Sequence, residues 1–204
     1  MSNVVDGILN IAVGESWIPL PAENADHVEA IRQLVESFGL DDDLTARRLG
    51  FALDMVMRVA HELPAGARKS YALVPSPHSG MVEALLSMRV SRVTTDAYEN
   101  YLAAASTLES NERLEVIRRS VDEVVLPAGR GVLSRDFTLP RAVQGVPDPA
   151  MERTFLALFP DDSDSAVEFT LLTHNLALFS DAGEYLLALA ANENPITDAT
   201  MDPA

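Results

Sequence analysis

The side chains of this 204-residue chain best suited to acid–base or metal chemistry near neutral pH are four histidines, His27, His61, His78 and His174. Zinc sites use ligands three or four residues apart on one helix, as in H-x-x-x-H or H-E-x-x-H, and none of the four stands in such a pattern. His61-Glu62 falls at the end of an apolar-periodic run, where a partly cationic ring suits the negative end of a helix dipole, and His174 stands beside the last strand-like run. Ser76-Pro77-His78-Ser79-Gly80 places hydroxyls beside an imidazole. It lacks the G-x-S-x-G elbow, and serine triads converge from distant segments rather than from neighbours, so it reads as a hairpin loop. An enzyme built on this chain would draw on Ser76, His78 and His174. Gly129-Arg130-Gly131 has two glycines of a dinucleotide fingerprint, but Ser134 occupies the third position and a strand follows, which makes it a tight turn. Asp161-Asp162-Ser163-Asp164 opens like a calcium loop. Counted from Asp162, however, Val167 replaces the turn glycine and Thr173 the bidentate Glu, leaving at most a weak surface cation. No catalytic, cofactor-binding or metal-ligating residue is assigned, and no cofactor is expected.

Acidic residues recur as Asp-x-x-Glu: Asp26 with Glu29, Asp96 with Glu99, and Asp181 with Glu184. Paired carboxylates can act as general acid and base, but only when they converge in a cleft. At a helix start the same spacing gives an N-cap, a residue able to reach back to it, and two charges at the positive end of the dipole. Three helix starts are the reading taken.

These positions define the elements around them. Ser16-Trp17-Ile18-Pro19-Leu20-Pro21, closed by prolines, predicts an edge strand. Val28, Ile31, Leu34, Val35 and Phe38 predict a helix ending at Gly39. A second runs from Asp41-Asp42-Asp43 through Leu49, Leu53, Val56 and Ala60 to Pro64, although Leu53–Val59 also alternates as a strand would. Ser70–Val74 and Met81–Val93 predict a hairpin, and Thr94-Thr95-Asp96 opens a helix over Tyr98, Tyr101, Leu102, Ala105 and Leu108. Leu114–Ser120 is expected to be a short helix or a connector. Three strands follow: Val121–Leu126 with its continuation Gly131–Leu139, then Arg153–Phe159, then Ala166–Leu172 after a turn at residues 160–164. A helix over roughly Asp181–Ala191 closes the pattern.

Consecutive strands on short turns must be antiparallel, and strands such as Phe155–Phe159 are apolar on both sides. The expected fold class is therefore α+β, a largely antiparallel central sheet with helices on both faces. Residues 1–191 form one domain and 192–204 a frayed acidic tail, since the only linker candidate, Arg141–Pro149, is short.

Composition narrows the partners. The chain carries 31 acids against 15 bases, a net charge of −16, and no Cys, which removes disulfides, thiolate metal sites and cysteine nucleophiles. With one Lys and 14 Arg it is poorly equipped for nucleic acid. The acidity is uneven: residues 1–63 carry −7, residues 64–148 are neutral and residues 149–204 carry −9, Arg153 being the single base of that last third. A trace of function is expected there. The N-terminus has no basic region and Asp6 interrupts its apolar run, so no signal peptide and no membrane span are expected, and cytoplasmic residence is the default.

Val124-Val125-Leu126-Pro127-Ala128-Gly129-Arg130-Gly131-Val132 and Val167-Glu168-Phe169-Thr170-Leu171-Leu172-Thr173-His174-Asn175-Leu176-Ala177, each at a strand end, resemble the second half of actinobacterial PsbP/Mog-like α/β/α sandwich proteins, relatives of the LpqN-type lipoproteins. There an LPAG turn links two strands, and a strand end leading to Asn-Leu-Ala precedes the last helix. High Arg over Lys and high Ala agree with a GC-rich genome. With no signal peptide expected and no Cys for a lipobox, the chain is expected to depart from the lipoprotein members. The resemblance implies a non-enzymatic accessory or binding domain and carries over no functional residue. The expectation is a protein-binding domain whose partner presents a basic surface, with a hydrolase-like enzyme or a homo-oligomer subunit as alternatives.

Overall fold

A computed structural model describes residues 13–21, 26–63, 67–107, 114–140, 150–161 and 163–191. The Arg141–Pro149 linker candidate and the 192–204 tail lie outside these residues. The elements are β1 (Trp17–Pro19), α1 (His27–Ser37), α2 (Asp43–Glu62), β2 (Ala67–Leu73), β3 (Ala84–Arg92), α3 (Ala97–Ser106), β4 (Leu114–Leu126), β5 (Gly129–Pro140), β6 (Met151–Pro160), β7 (Ser165–Thr173) and α4 (Ala182–Ala190). The strands form one seven-stranded sheet in the order β1-β2-β3-β7-β6-β5-β4, every neighbouring pair antiparallel. This is the expected α+β class, with β1 at an edge as its prolines require.

Because side chains alternate across a strand, the sheet has two distinct faces. On one, Leu86 and Met88 of β3, Val167, Phe169 and Leu171 of β7, Leu156 and Leu158 of β6 and Leu133 of β5 pack under Tyr185, Leu186 and Leu189 of α4 in the largest core cluster. The other face holds two separate cores. Under α1 and α2, Leu49 and Leu53 meet Ala72 and Val74, and Ala60 meets Leu85 and Leu172. Under α3, Ala97 and Tyr98 meet Val132, Ala157, Phe159 and Ala166. The sheet is the middle layer, and the helices on this second face do not cover it continuously.

Two strand expectations need correction. Leu114–Ser120 is neither helix nor connector but the start of β4. Its register against β5 slips between Val116 and Arg118, and the inserted Ile117 is 57% exposed. That bulge puts two apolar residues side by side and so hides the alternation of a strand. Gly131–Leu139 does not continue the preceding strand either, because Pro127-Ala128 turns the chain back and Leu126 pairs with Gly129. At Gly129 the backbone has φ +144°, and a Cβ there would meet the Phe159 carbonyl oxygen at 2.2 Å. The periodicity of Leu53–Val59 resolves as helix, within α2.

Side-chain caps from Asp26, Asp42 and Asp181 start α1, α2 and α4; Asp181 Oδ1 accepts from Gly183 N at 2.7 Å and Glu184 N at 3.0 Å. Asp96 is the exception. Its backbone, at φ −96° and ψ 15°, is not extended as a capping residue's is, and its side chain makes no cap bond. Nor does Glu29 reach back to its cap: it binds Arg32 and Gln33 instead, which pull its pKa down to about 2.

Among the described residues no helix is long and apolar enough to cross a membrane.

Candidate functional site

The gap between the two cores is a cleft of about 340 Å³, walled by α3 on one side and by Leu63, just past α2, on the other. Its floor follows from strand register. Ser87 of β3 pairs with Thr170 of β7, which pairs with Phe155 of β6, which pairs with Ser134 of β5, giving one row across four strands. A flanking row brings Arg68, Arg89 and Glu168 side by side, and the row on the opposite flank brings Arg153, Asp136 and Arg119 together. Four arginines from four strands therefore line one cleft in a chain of net charge −16.

Two buried carboxylates organise them. Glu168, 5% exposed, accepts from Arg89 Nε at 2.9 Å, from Arg89 Nη2, from Ser91 Oγ at 2.7 Å and from the Tyr101 hydroxyl of α3. Burial, and then this bond to a carboxylate, push the Tyr101 hydroxyl above the usual phenol range. Asp136, 1% exposed, is held by Arg119 through Nε to Oδ1 at 2.6 Å and Nη2 to Oδ2 at 2.9 Å. Arg153 adds Nε to Oδ2 at 3.1 Å and a second bond from Nη2. Burial opposes the charge on Asp136, yet the two guanidiniums outweigh it and keep the carboxyl below its ordinary value. Arg119 Nη1 also donates to the Ala105 and Thr107 carbonyls, tying the C-terminal end of α3 to the sheet. Between the charged rows the lining is apolar: Tyr101 stacks on Phe155 with ring planes 4° apart, beside Ala104 and Ala105.

The histidine and serine candidates stand elsewhere. Ser76 stands before a one-turn helix at Pro77–Ser79 without a side-chain cap bond, Ser79 Oγ donates to the Ser76 carbonyl, and His78 is exposed. His174 contacts the Ala150 carbonyl at 3.3 Å. No hydrogen bond joins Ser76, His78 and His174. His27 bonds Asp54 at 2.9 Å and lies edge-on to His61, with ring centroids 5.7 Å apart. Among the described residues no group of three or more His, Asp or Glu could hold a metal ion. Arg130, between the paired glycines, sits 3.9 Å above the Tyr98 ring.

Sequence reasoning missed the cleft residues, Arg153 excepted. As the single base in the acidic C-terminal third it stood out by charge, and register places it in the cleft. Arg68, Arg89, Arg119 and Glu168 are separated by tens of residues in the chain and only the strand order brings them together.

No protein-family model matches the chain, and no curated protein matches its sequence.

Proposed function

We infer that this chain is a non-enzymatic accessory domain that works by binding a protein partner at the α3 face of the sheet. The observation carrying this is the cleft itself: it is the size of a binding site, and both its carboxylates are paired to guanidiniums, Glu168 accepting from the Ser91 and Tyr101 hydroxyls as well. A general base needs free acceptor capacity aimed at a substrate proton, which Asp136 and Glu168 lack. The layered architecture supports a relationship to the PsbP/Mog-like sandwich proteins, and cytoplasmic residence belongs to the same reading. The excess acidity outside the cleft suits a partner whose surface around the contact is basic.

The test is affinity capture with the wild type and with Ala104→Trp, which fills the cleft from an exposed position of α3. A single species captured by the wild type, cross-linked to α3 or β6 and lost with Ala104→Trp, is the expected result. Turnover of ester, amide or phosphate test substrates, abolished by the same substitution, would make the chain an enzyme instead.

A further inference from the structure

Arg119 already chelates both oxygens of Asp136, so the second guanidinium on that carboxylate, Arg153, is surplus. Both bonds that Arg153 makes, from Nε and Nη2, converge on the one Oδ2 atom. Its Nη1 carries no hydrogen bond among the described residues, and its side chain is 41% exposed. One edge of its fork thus remains to be used. On the floor beside it, Thr170 and Ser134 flank Phe155 across neighbouring strands, and neither hydroxyl has a partner among the described residues. The two hydroxyls stand two strands apart, about 10 Å at the backbone, so one at a time, Thr170 being the less buried, can join the guanidinium edge in a seat for a planar group with two acceptor oxygens, a carboxylate.

The remaining wall selects among carboxylates. Tyr101, Phe155, Ala104, Ala105 and Leu63 put apolar surface directly against that seat. In Asp or Glu the carboxylate ends a stem of one or two methylenes, and no larger apolar group branches from the carbon that bears it. In a chain's last residue the carbon bearing the carboxylate also bears the side chain, so a nonpolar terminal residue supplies both parts at the required proximity. We propose that the cleft takes the C-terminal carboxylate of a partner chain that ends in a nonpolar residue. The proposal rests on the binding reading above and names the chemistry of the partner.

Calorimetric titration of the full chain with acetylated tetrapeptides ending in Leu, Val or Phe, each as free acid and as C-terminal amide, tests it. At least one free acid should bind about tenfold or more tightly than its amide. Arg153→Gln should abolish that preference by weakening the acid far more than the amide, and Asp136 stays paired through Arg119, so the fold is kept. Thr170→Val should weaken the acid without lowering the melting temperature, because its hydroxyl has no partner among the described residues. Equal binding of acids and amides, no binding of any acid, or a preference that survives Arg153→Gln overturns the proposal. So does 4-methylpentanoate binding as tightly as the Leu peptide acid, which would make the occupant a free organic acid. The binding reading falls separately, if Ala104→Trp still captures the partner.

Discussion

At the scale of single residues, the strongest dependence falls on Asp136. It is buried and balances Arg119 and part of Arg153, so Asp136→Asn leaves guanidiniums in a desolvated cleft without their counter-charge. A loss of about 3 kcal/mol is expected in denaturant unfolding, since removing one partner of a buried pair costs far more than the pair itself contributes. The pH dependence has a definite sign. Asp136 and Asp181 both have folded values held below the ordinary one, Asp181 by its cap bonds and Arg135 against the opposing effect of burial. Their stabilisation is complete above about pH 4 and is lost as pH falls through the depressed folded values. Glu152 works the other way: burial and the nearby Asp181 raise its value, so its contribution declines as pH rises through it. Acid melts of Asp136→Asn should show a shallower loss of stability below pH 4 than the wild type; an identical slope would remove Asp136 from the account. Of these residues the sequence marks out Asp181, by its capping pattern, and Arg153, by charge, because local spacing and charge composition are visible in a linear chain and cross-strand proximity is not.

The elements were legible to different degrees, for identifiable reasons. Helices α1, α2 and α4 announce themselves by apolar spacing and a capping Asp, and the structure has all three caps. At α3 the same Asp-x-x-Glu pattern is present without the cap bond, because sequence spacing does not report the backbone angles of Asp96. Asp181→Ala should therefore cost about 1–2 kcal/mol, while Asp96→Ala should stay within about 0.5 kcal/mol, measured by the same chemical melts. A comparable loss in both would show that Asp96 caps in solution. Only the first half of β4, Leu114–Ser120, is hidden by its bulge, since Val121–Leu126 reads as strand, and the reversal at Pro127-Ala128 is missed because the run beyond it reads as a continuation of the same strand. Gly129→Ala sets a Cβ against the Phe159 carbonyl in a backbone region that other residues avoid. It should cost at least about 2 kcal/mol by thermal or chemical melts, and a neutral result would mean the β5–β6 edge gives way easily.

For the whole molecule, the layered α+β architecture followed from short turns between strands and from strands apolar on both faces. The cleft could not be foreseen in this way. It exists because two helical layers on one face of the sheet leave a strip between them, and only the order β2-β3-β7-β6-β5-β4 lays arginines from four strands along that strip. A net charge of −16 thus conceals a cationic lining, since among the described residues Asp136 and Glu168 are the only buried carboxylates and the cleft gathers guanidiniums. That separation suits the proposed partner, one with an anionic group set in a basic surface. The most direct measurement is quantitative capture of the partner by wild type and Ala104→Trp side by side, with folding of both verified by melting. A partner retained by the wild type and lost by the filled cleft is the outcome predicted here, and equal retention by both proteins would contradict it.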